Sequence, residues 1–298
     1  MIDFVKIRVN HIDIQRLYEL PELDFQTQIS TKNGSRATGK DVAKYHFCTI
    51  TIFESGFVKF MGSIHKMYNS LHNINAPNKN AFQEYKGFNG NQFEVEQIFE
   101  VIDHLRLLFD CRKKDLVFQN IEFGFNLQTN FLPQNFIKGL LYHKNKPFEF
   151  RHSNHYAQLK HQRYFIKIYN KSKQYQMNKH TLRVEIKLIT ADQFKPLGIK
   201  TLANINAVTL QNAKNLLLKR FEEVFYYDIT IRTENLRSTE RNALIKYKHP
   251  LYWVDELSKQ KRYLHGIRLQ NFIFRNSDEM KNQIIELIER KGLPITND

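Results

Sequence analysis

The sequence predicts an α+β fold: an antiparallel β-sheet with packing helices over residues 1–200, followed by an all-α region over 201–298. Three observations lead there. Period-two alternation recurs at 4–9, 46–53, 56–63, 116–127, 163–170 and 181–189. Glu54-Ser55-Gly56 separates two of these runs at hairpin spacing. Beyond 191–200, which holds Pro196 and Gly198, the pattern turns helical. Strands first and helices after them argue for segregated layers rather than alternating βα units.

In chain order, FVKIRV (4–9) alternates as a strand. Residues 28–40, polar with two glycines, read as a loop. HFCTITIF (46–53) and GFVKFMGS (56–63) form the hairpin. The asparagine-rich stretch 69–92, with Pro77, Gly87 and Gly90, reads as a long irregular connection. Over 93–109, Ile98, Ile102 and Leu105 make a helical stripe that Phe99 and Leu108 widen. LVFQNIEFGFNL (116–127) is a strand, 134–143 a short helix, and 163–170 and 181–189 two further strands. Helices are expected over 206–226, 238–247, 250–265 and 278–291.

The chain has 298 residues, 42% hydrophobic and 13% aromatic, which is enough apolar material for a core and argues against wholesale disorder. A formal charge of +15 favours a polyanionic partner, nucleic acid or an acidic membrane. No run of 18 apolar residues exists, so no transmembrane helix is expected. The N-terminus has acidic residues and no apolar core, unlike a secretory signal. Cys48 and Cys111 offer no CxxC pair and match a reducing cytoplasm.

Alternation places candidate chemistry on the polar faces of three strands. Lys167 and Tyr169 oppose Ile166 and Ile168. Arg183, Glu185 and Lys187 oppose Leu182, Val184, Ile186 and Leu188. Glu122 and Asn126 oppose Ile121, Phe123, Phe125 and Leu127. If the strands are neighbours, Glu122, Tyr169 and Glu185 share one face. Two carboxylates and an amide oxygen suit Mg²⁺ or Mn²⁺, which would polarise a phosphate for attack by Tyr169. A tyrosine, with an ordinary pKa of about 10, needs nearby positive charge to act as a nucleophile. Lys167, Lys171 and Lys187 would supply it. The alternative is a solvated sheet face with cross-strand Glu/Lys pairs.

KIYNKSKQ followed by RVEIKL resembles the rolling-circle replication initiators, whose phage and plasmid members carry a "YDK/YNK" strand and then an "LRxE" strand. IEFGFNL occupies the place of their "RIDLxxD" strand, and GSIHKMYN (62–69) resembles their "GSxxKxxxN" segment. The filamentous-phage gene-two type and the plasmid replication initiation factor type are the most similar in appearance. The resemblance spans about 60–190 and implies a replication-initiator nuclease-like fold. It implies a metal-dependent DNA nicking and joining enzyme that cuts an origin, single-stranded or hairpin at the nick, and keeps a 5′-phosphotyrosine link. Host helicase and polymerase would be partners, in a bacterial cytoplasm, with no membrane. By position, Tyr169 matches the nucleophile, Lys171 the lysine of "YNK", Glu185 the "LRxE" carboxylate and Glu122 the first acid of "RIDLxxD". Asn126 replaces the second acid, Asn120 the arginine, and no His-hydrophobe-His motif is present. A relaxase of a mobile element shares this chemistry. A DNA-binding protein of the same fold, without catalysis, is the alternative from another class.

Gly62-Ser63 after a strand suggests a backbone approach to phosphate, with His65 and Lys66 beside it and Arg183 and Lys187 as further DNA contacts. The same residues also suit an ordinary strand-to-loop turn. His152, His155 and His161 suit either a zinc site or a polar loop, and the missing fourth ligand favours the loop. Tyr164 and Tyr175 are rival nucleophiles, the first core-facing and the second past the strand end. The segment 246–275 mixes Lys and Arg with Tyr, Trp and His, which suits phosphate contacts and stacking, or a bundle with a basic face and Trp253 in its core.

Overall fold

A computed structural model describes residues 1–32, 34–78 and 86–291, so residues 79–85 of the expected connection lie outside it. The fold is α+β with a large antiparallel sheet. Contacts group the chain differently from a cut at residue 200. One compact unit comprises Met1–Gly124 and Ile186–Lys214, and the other comprises Phe125–Glu185 and residues 215–291.

In the first unit, β1 (Ile2–Val9) lies between β5 (Val58–Ser63) and the start of β6 (Leu116–Gln128), antiparallel to both. Ile7 pairs with Phe60 on one side and Phe118 on the other, and Val5 and Ile7 are fully buried. Outward from β5 come β4 (Cys48–Phe53), β3 (Arg36–Tyr45) and β2 (Gln26–Ile29). The expected hairpin is β4–β5, with Gly56 at φ +76° in its turn, a conformation that favours glycine. The stretch read as a loop over 28–40 keeps its loop at the centre, but its ends, residues 28–29 and 36–40, belong to β2 and β3. β2 is an exposed edge strand with no apolar alternation, so its pairing left no hydrophobic signal. Asp41 of β3 secures it by accepting from Thr27, Tyr18 and Arg36. Those bonds lower the Asp41 carboxyl to about 2.

Helices α1 (Ile14–Glu19), α2 (Ile64–Leu71) and α3 (Val95–Leu108) belong to the same unit. The stripe of α3 is buried as expected at Ile98, Ile102, Leu105 and Leu108, with Val101, whereas Phe99 is exposed. α2 was hidden in sequence because its motif was read as strand-to-loop.

The second unit holds the end of β6, α4 (Pro133–Lys138), β7 (Leu140–His143) and β8 (Lys146–Pro147). Strands β9 (Glu149–Arg151), β10 (Tyr156–Lys160) and β11 (Tyr164–Asn170) follow, with α5 (Lys171–Tyr175) between β11 and β12 (Thr181–Leu188). Strands β12, β11, β10 and β9 are successive neighbours. The helix expected over 134–143 stops at Gly139, where a Cβ would lie 2.2 Å from the Tyr227 carbonyl oxygen. The chain then becomes β7.

A short helix, α6 (Ala191–Phe194), follows β12, and α7 spans Ala207–Glu222. The region expected to be all-α contains β13 (Phe225–Tyr226), antiparallel to β7, as well as α8 (Ser238–Tyr247), α9 (Lys259–Asn276) and α10 (Met280–Arg290). The one helix expected over 250–265 is a π-helical segment, Tyr252–Glu256, followed by α9, which Ser258 caps by accepting from the Lys261 amide. Trp253 is fully buried among Tyr142, Tyr247 and Leu269, and its Nε1 donates to the Tyr247 carbonyl at 2.9 Å.

His143 on β7 is wholly buried. Its Nδ1 lies 2.8 Å from His161 Nε2, and its Nε2 lies 2.9 Å from Glu223. Burial, then the neighbouring His143 and lysines, lowers His161 to about 4. For Glu223, burial acts upward, but hydrogen bonds from Arg220 and His143 outweigh it and hold the carboxyl at about 2. A histidine lowered in the folded state favours folding while neutral, so stability is full above its unfolded value of about 6.5 and falls as pH drops from there towards 4. Urea unfolding followed by the fluorescence of Trp253, the single tryptophan, is expected to lose midpoint over that window. His161→Phe is expected to flatten the loss; an unchanged slope would remove His161 as its source.

Candidate active site

β11 follows the expected alternation: Ile166 and Ile168 are buried, and Lys167 and Tyr169 are partly exposed on the other face. Its pairing with β10 sets Tyr156 opposite Tyr169 and Gln158 opposite Lys167, with the tyrosine rings 5.4 Å apart. β12 is different. Both its faces are buried, so Arg183 and Glu185 are each only about 3% exposed. The alternative of a solvated charged face does not describe these two residues.

Glu185 is the hub. Its Oε1 accepts from Lys167 Nζ at 3.2 Å, and its Oε2 accepts from Arg183 Nε at 2.7 Å and from the Tyr169 hydroxyl at 3.2 Å. Arg183 also donates from Nη1 to Asn126 Oδ1 at 3.0 Å. A buried carboxylate is tolerable only when paired and hydrogen-bonded, and the neighbouring strands supply both.

The YNK run has a local structural reason. Asn170 caps α5, its side chain accepting from the Lys173 amide at 2.9 Å and from the Ser172 hydroxyl at 2.7 Å. The chain turns there, and Lys171 is buried with its Nζ 5.1 Å from the ring centroids of both Tyr169 and Tyr175. Ser172 in turn accepts from the Thr181 amide at 3.1 Å, tying α5 to the start of β12. Tyr175 is buried under this lysine. Tyr164 faces the core, with the Arg220 guanidinium 4.8 Å from its ring centroid. Of the three tyrosines, Tyr169 is the one that is partly exposed.

The second unit thus brings together Tyr169, Lys167, Lys171, Arg183, Glu185 and Asn126. In the first unit Glu122 and Lys187 pair with each other at 2.7 Å, and Lys187 Nζ lies 4.6 Å from the Phe4 ring centroid. His65 is turned inward and Lys66 is half-buried. His65 is 2% exposed, stacked on Phe93 and bonded to Asn91, while Lys66 Nζ donates to the Lys86 carbonyl at 2.7 Å. Burial lowers the Lys66 ammonium pKa. Gly62 has a packing reason, because a Cβ there would lie 2.4 Å from Cys48 Sγ on the paired strand. Ser63 caps α2 and donates to the buried Asp3. His152 and His155 flank the turn before β10, and His161 belongs to the His143 pair.

Among the described residues no three or more His, Cys, Asp and Glu side chains gather as a metal-holding group. The donors expected for Mg²⁺ or Mn²⁺ are engaged by cations. Both Glu185 oxygens and Asn126 Oδ1 accept from Arg183 or Lys167, and Glu122 accepts from Lys187. Lys167 and Arg183 pair with Glu185, and Lys171 lies over the Tyr169 ring. As placed, these residues suit an anion such as phosphate beside the Tyr169 hydroxyl better than a hard dication, which needs uncommitted anionic oxygens.

Tyr156 and Gln158 were missed in sequence because the histidine-rich run around them reads as a loop. Their signal is the alternation Tyr156-Ala157-Gln158-Leu159-Lys160, in which Ala157 and Leu159 are buried. No protein-family model matches the chain, and no curated protein sequence matches it.

Removing Glu185 takes a carboxylate partner from the buried Arg183. Glu185→Ala is expected to cost about 3–5 kcal/mol of stability, read by urea unfolding at neutral pH. A loss below about 1 kcal/mol, typical of exposed pairs, would contradict the buried hub.

Proposed function

We propose that the protein is a DNA nicking and joining enzyme of the rolling-circle replication-initiator kind, with Tyr169 as nucleophile. The observation that carries the reading is the partly exposed Tyr169 hydroxyl, hydrogen-bonded to buried Glu185 and set among Lys167, Lys171 and Arg183. The order of the YNK and RVEIKL segments supports it, as does the basic charge of the whole chain.

In this reading the Tyr169 oxygen attacks the scissile phosphorus. The Oη–P bond forms, the P–O3′ bond breaks, and its electron pair leaves with the 3′ oxygen, which takes a proton from solvent water. The tyrosine proton passes to Glu185 Oε2, 3.2 Å away. A carboxylate shared by two cations is a weak base, so the larger contribution comes from Lys167, Lys171 and Arg183, preorganised to stabilise charge on the phosphate oxygens. The product is a 5′-phosphotyrosine and a free 3′-hydroxyl. The hydroxyl primes a host polymerase working with a host helicase, and a second transfer rejoins the strand. No step is assigned to a metal, since the donors proposed for one are committed to Arg183, Lys167 and Lys187.

The saturation of Glu185 favours one further reading: a DNA-binding protein of the same fold that uses the cationic face for phosphate contact alone. A supercoiled plasmid carrying the DNA that flanks the coding sequence separates the two. The wild-type chain is expected to convert it to open circles, and Tyr169→Phe to lower that rate at least about 10³-fold, as for loss of a catalytic nucleophile, while DNA retardation persists. Nicking by Tyr169→Phe at the wild-type rate excludes this nucleophile. Retardation by the wild type without nicking assigns the face to binding.

A further inference from the structure

α9 has 18 residues, five of them Lys or Arg (Lys259, Lys261, Arg262, Arg268 and Arg275), and no carboxylate. Its inward face buries Leu269 and Phe272 in the Trp253 core. The stripe Lys259, Arg262/Tyr263, Gly266/Ile267 and Gln270 follows helical spacing and forms one wall of a groove of about 510 Å³. Tyr142 and Phe225 also line it, stacked on each other with centroids 4.8 Å apart. Phe225 itself rests on Trp253, centroids 4.5 Å apart, so this part is backed by rigid core. Tyr263 is 69% exposed, a large aromatic surface left in water.

The charge around this groove is one-sided. Lys259 and Arg262 are the charged side chains of its lining. Arg262 is held in place by donating to the Val254 and Leu257 carbonyls, both at 3.1 Å, and to Asn145. The neighbouring cavity of about 490 Å³, beside Phe274, is lined by Glu222, Glu223 and Glu279 with one lysine, and would repel a polyanion. An aromatic cleft with a cationic rim and an amide, Gln270, at its far end matches a nucleobase attached to a phosphodiester.

We propose that this groove is a single-stranded DNA subsite, with one base stacked on Tyr263 and its phosphate on Lys259 and Arg262. The proposal shares with the nicking reading only the premise that DNA is the partner, and it requires no chemistry at Tyr169. All arms therefore use the full-length Tyr169→Phe chain.

Binding of a fluorescein-labelled oligothymidylate of about 12 nucleotides is followed by anisotropy across a salt series. Tyr263→Ala is expected to raise Kd about 5- to 150-fold, the range for losing one stacked base, and Tyr263→Trp to restore it. Lys259→Ala is expected to reduce the salt slope by about 1. Phe274→Ala, beside the acidic cavity, is expected to leave Kd unchanged. Tyr263 and Phe274 are surface residues, and unchanged Trp253 fluorescence checks that the alanine variants are folded, with circular dichroism as the check for Tyr263→Trp. Wild-type affinity in Tyr263→Ala, an equal loss in Phe274→Ala, or no binding of the oligonucleotide would overturn the subsite. Equal Tyr263 dependence with a duplex of the same length would overturn the single-strand assignment. If nicking fails while the Tyr263 effect stands, only the catalytic reading falls.

Discussion

A carboxylate at about 3% exposure cannot stand without partners, and the organisation of the candidate site follows from how Glu185 is satisfied. Arg183 two residues before it on β12, and Lys167 on the neighbouring β11, neutralise it. Arg183 is fixed a second time by Asn126 on β6. With those donors in place, one Glu185 oxygen still reaches the Tyr169 hydroxyl, which fixes the orientation of a ring that also meets Tyr156 and Lys171. The arrangement sets Lys167, Lys171 and Arg183 around a partly exposed hydroxyl, and cations so placed suit a phosphate there.

The strands that carry this site were legible because their apolar faces alternate strictly: Ile166 and Ile168 on β11, and Leu182, Val184 and Ile186 on β12, are all buried. The meeting of Tyr169, Lys167, Arg183 and Glu185 follows from that alternation once β11 and β12 are neighbours. Elements held by backbone pairing or polar side chains were not legible. β2 is exposed at every position, and β10 lies in a histidine-rich run, so neither offered an apolar pattern long enough to read. β13 is two residues long, and its pairing with β7 is a tertiary contact that no local window contains.

The candidate residues also divide by physical role. His65, Lys66 and Gly62 look functional in sequence because a glycine beside a cation resembles a phosphate cradle. In the fold, Gly62 is there because Cys48 packs against it, His65 stacks on Phe93, and Lys66 bonds a carbonyl. Glu122 and Lys187 form their own ion pair in the first compact unit. Burial was the information missing from sequence: period-two alternation says which residues share a face, but not whether that face meets water. The basic C-terminal region illustrates the converse. Trp253 is core, as one reading of the sequence allowed, while the stripe from Lys259 to Gln270 remains open beside it.

The proposed chemical coupling of Tyr169 to Glu185 is read from a map of the covalent product. The chain is incubated with single-stranded DNA from the region flanking its coding sequence, digested with nuclease and protease, and the peptides are weighed by mass spectrometry. A nucleotide adduct is expected on the peptide containing Tyr169, and its loss is expected in a Glu185→Gln chain that keeps the native Trp253 fluorescence. An adduct on Tyr156, Tyr164 or Tyr175 instead, or DNA cleaved with no adduct on any tyrosine, would contradict it.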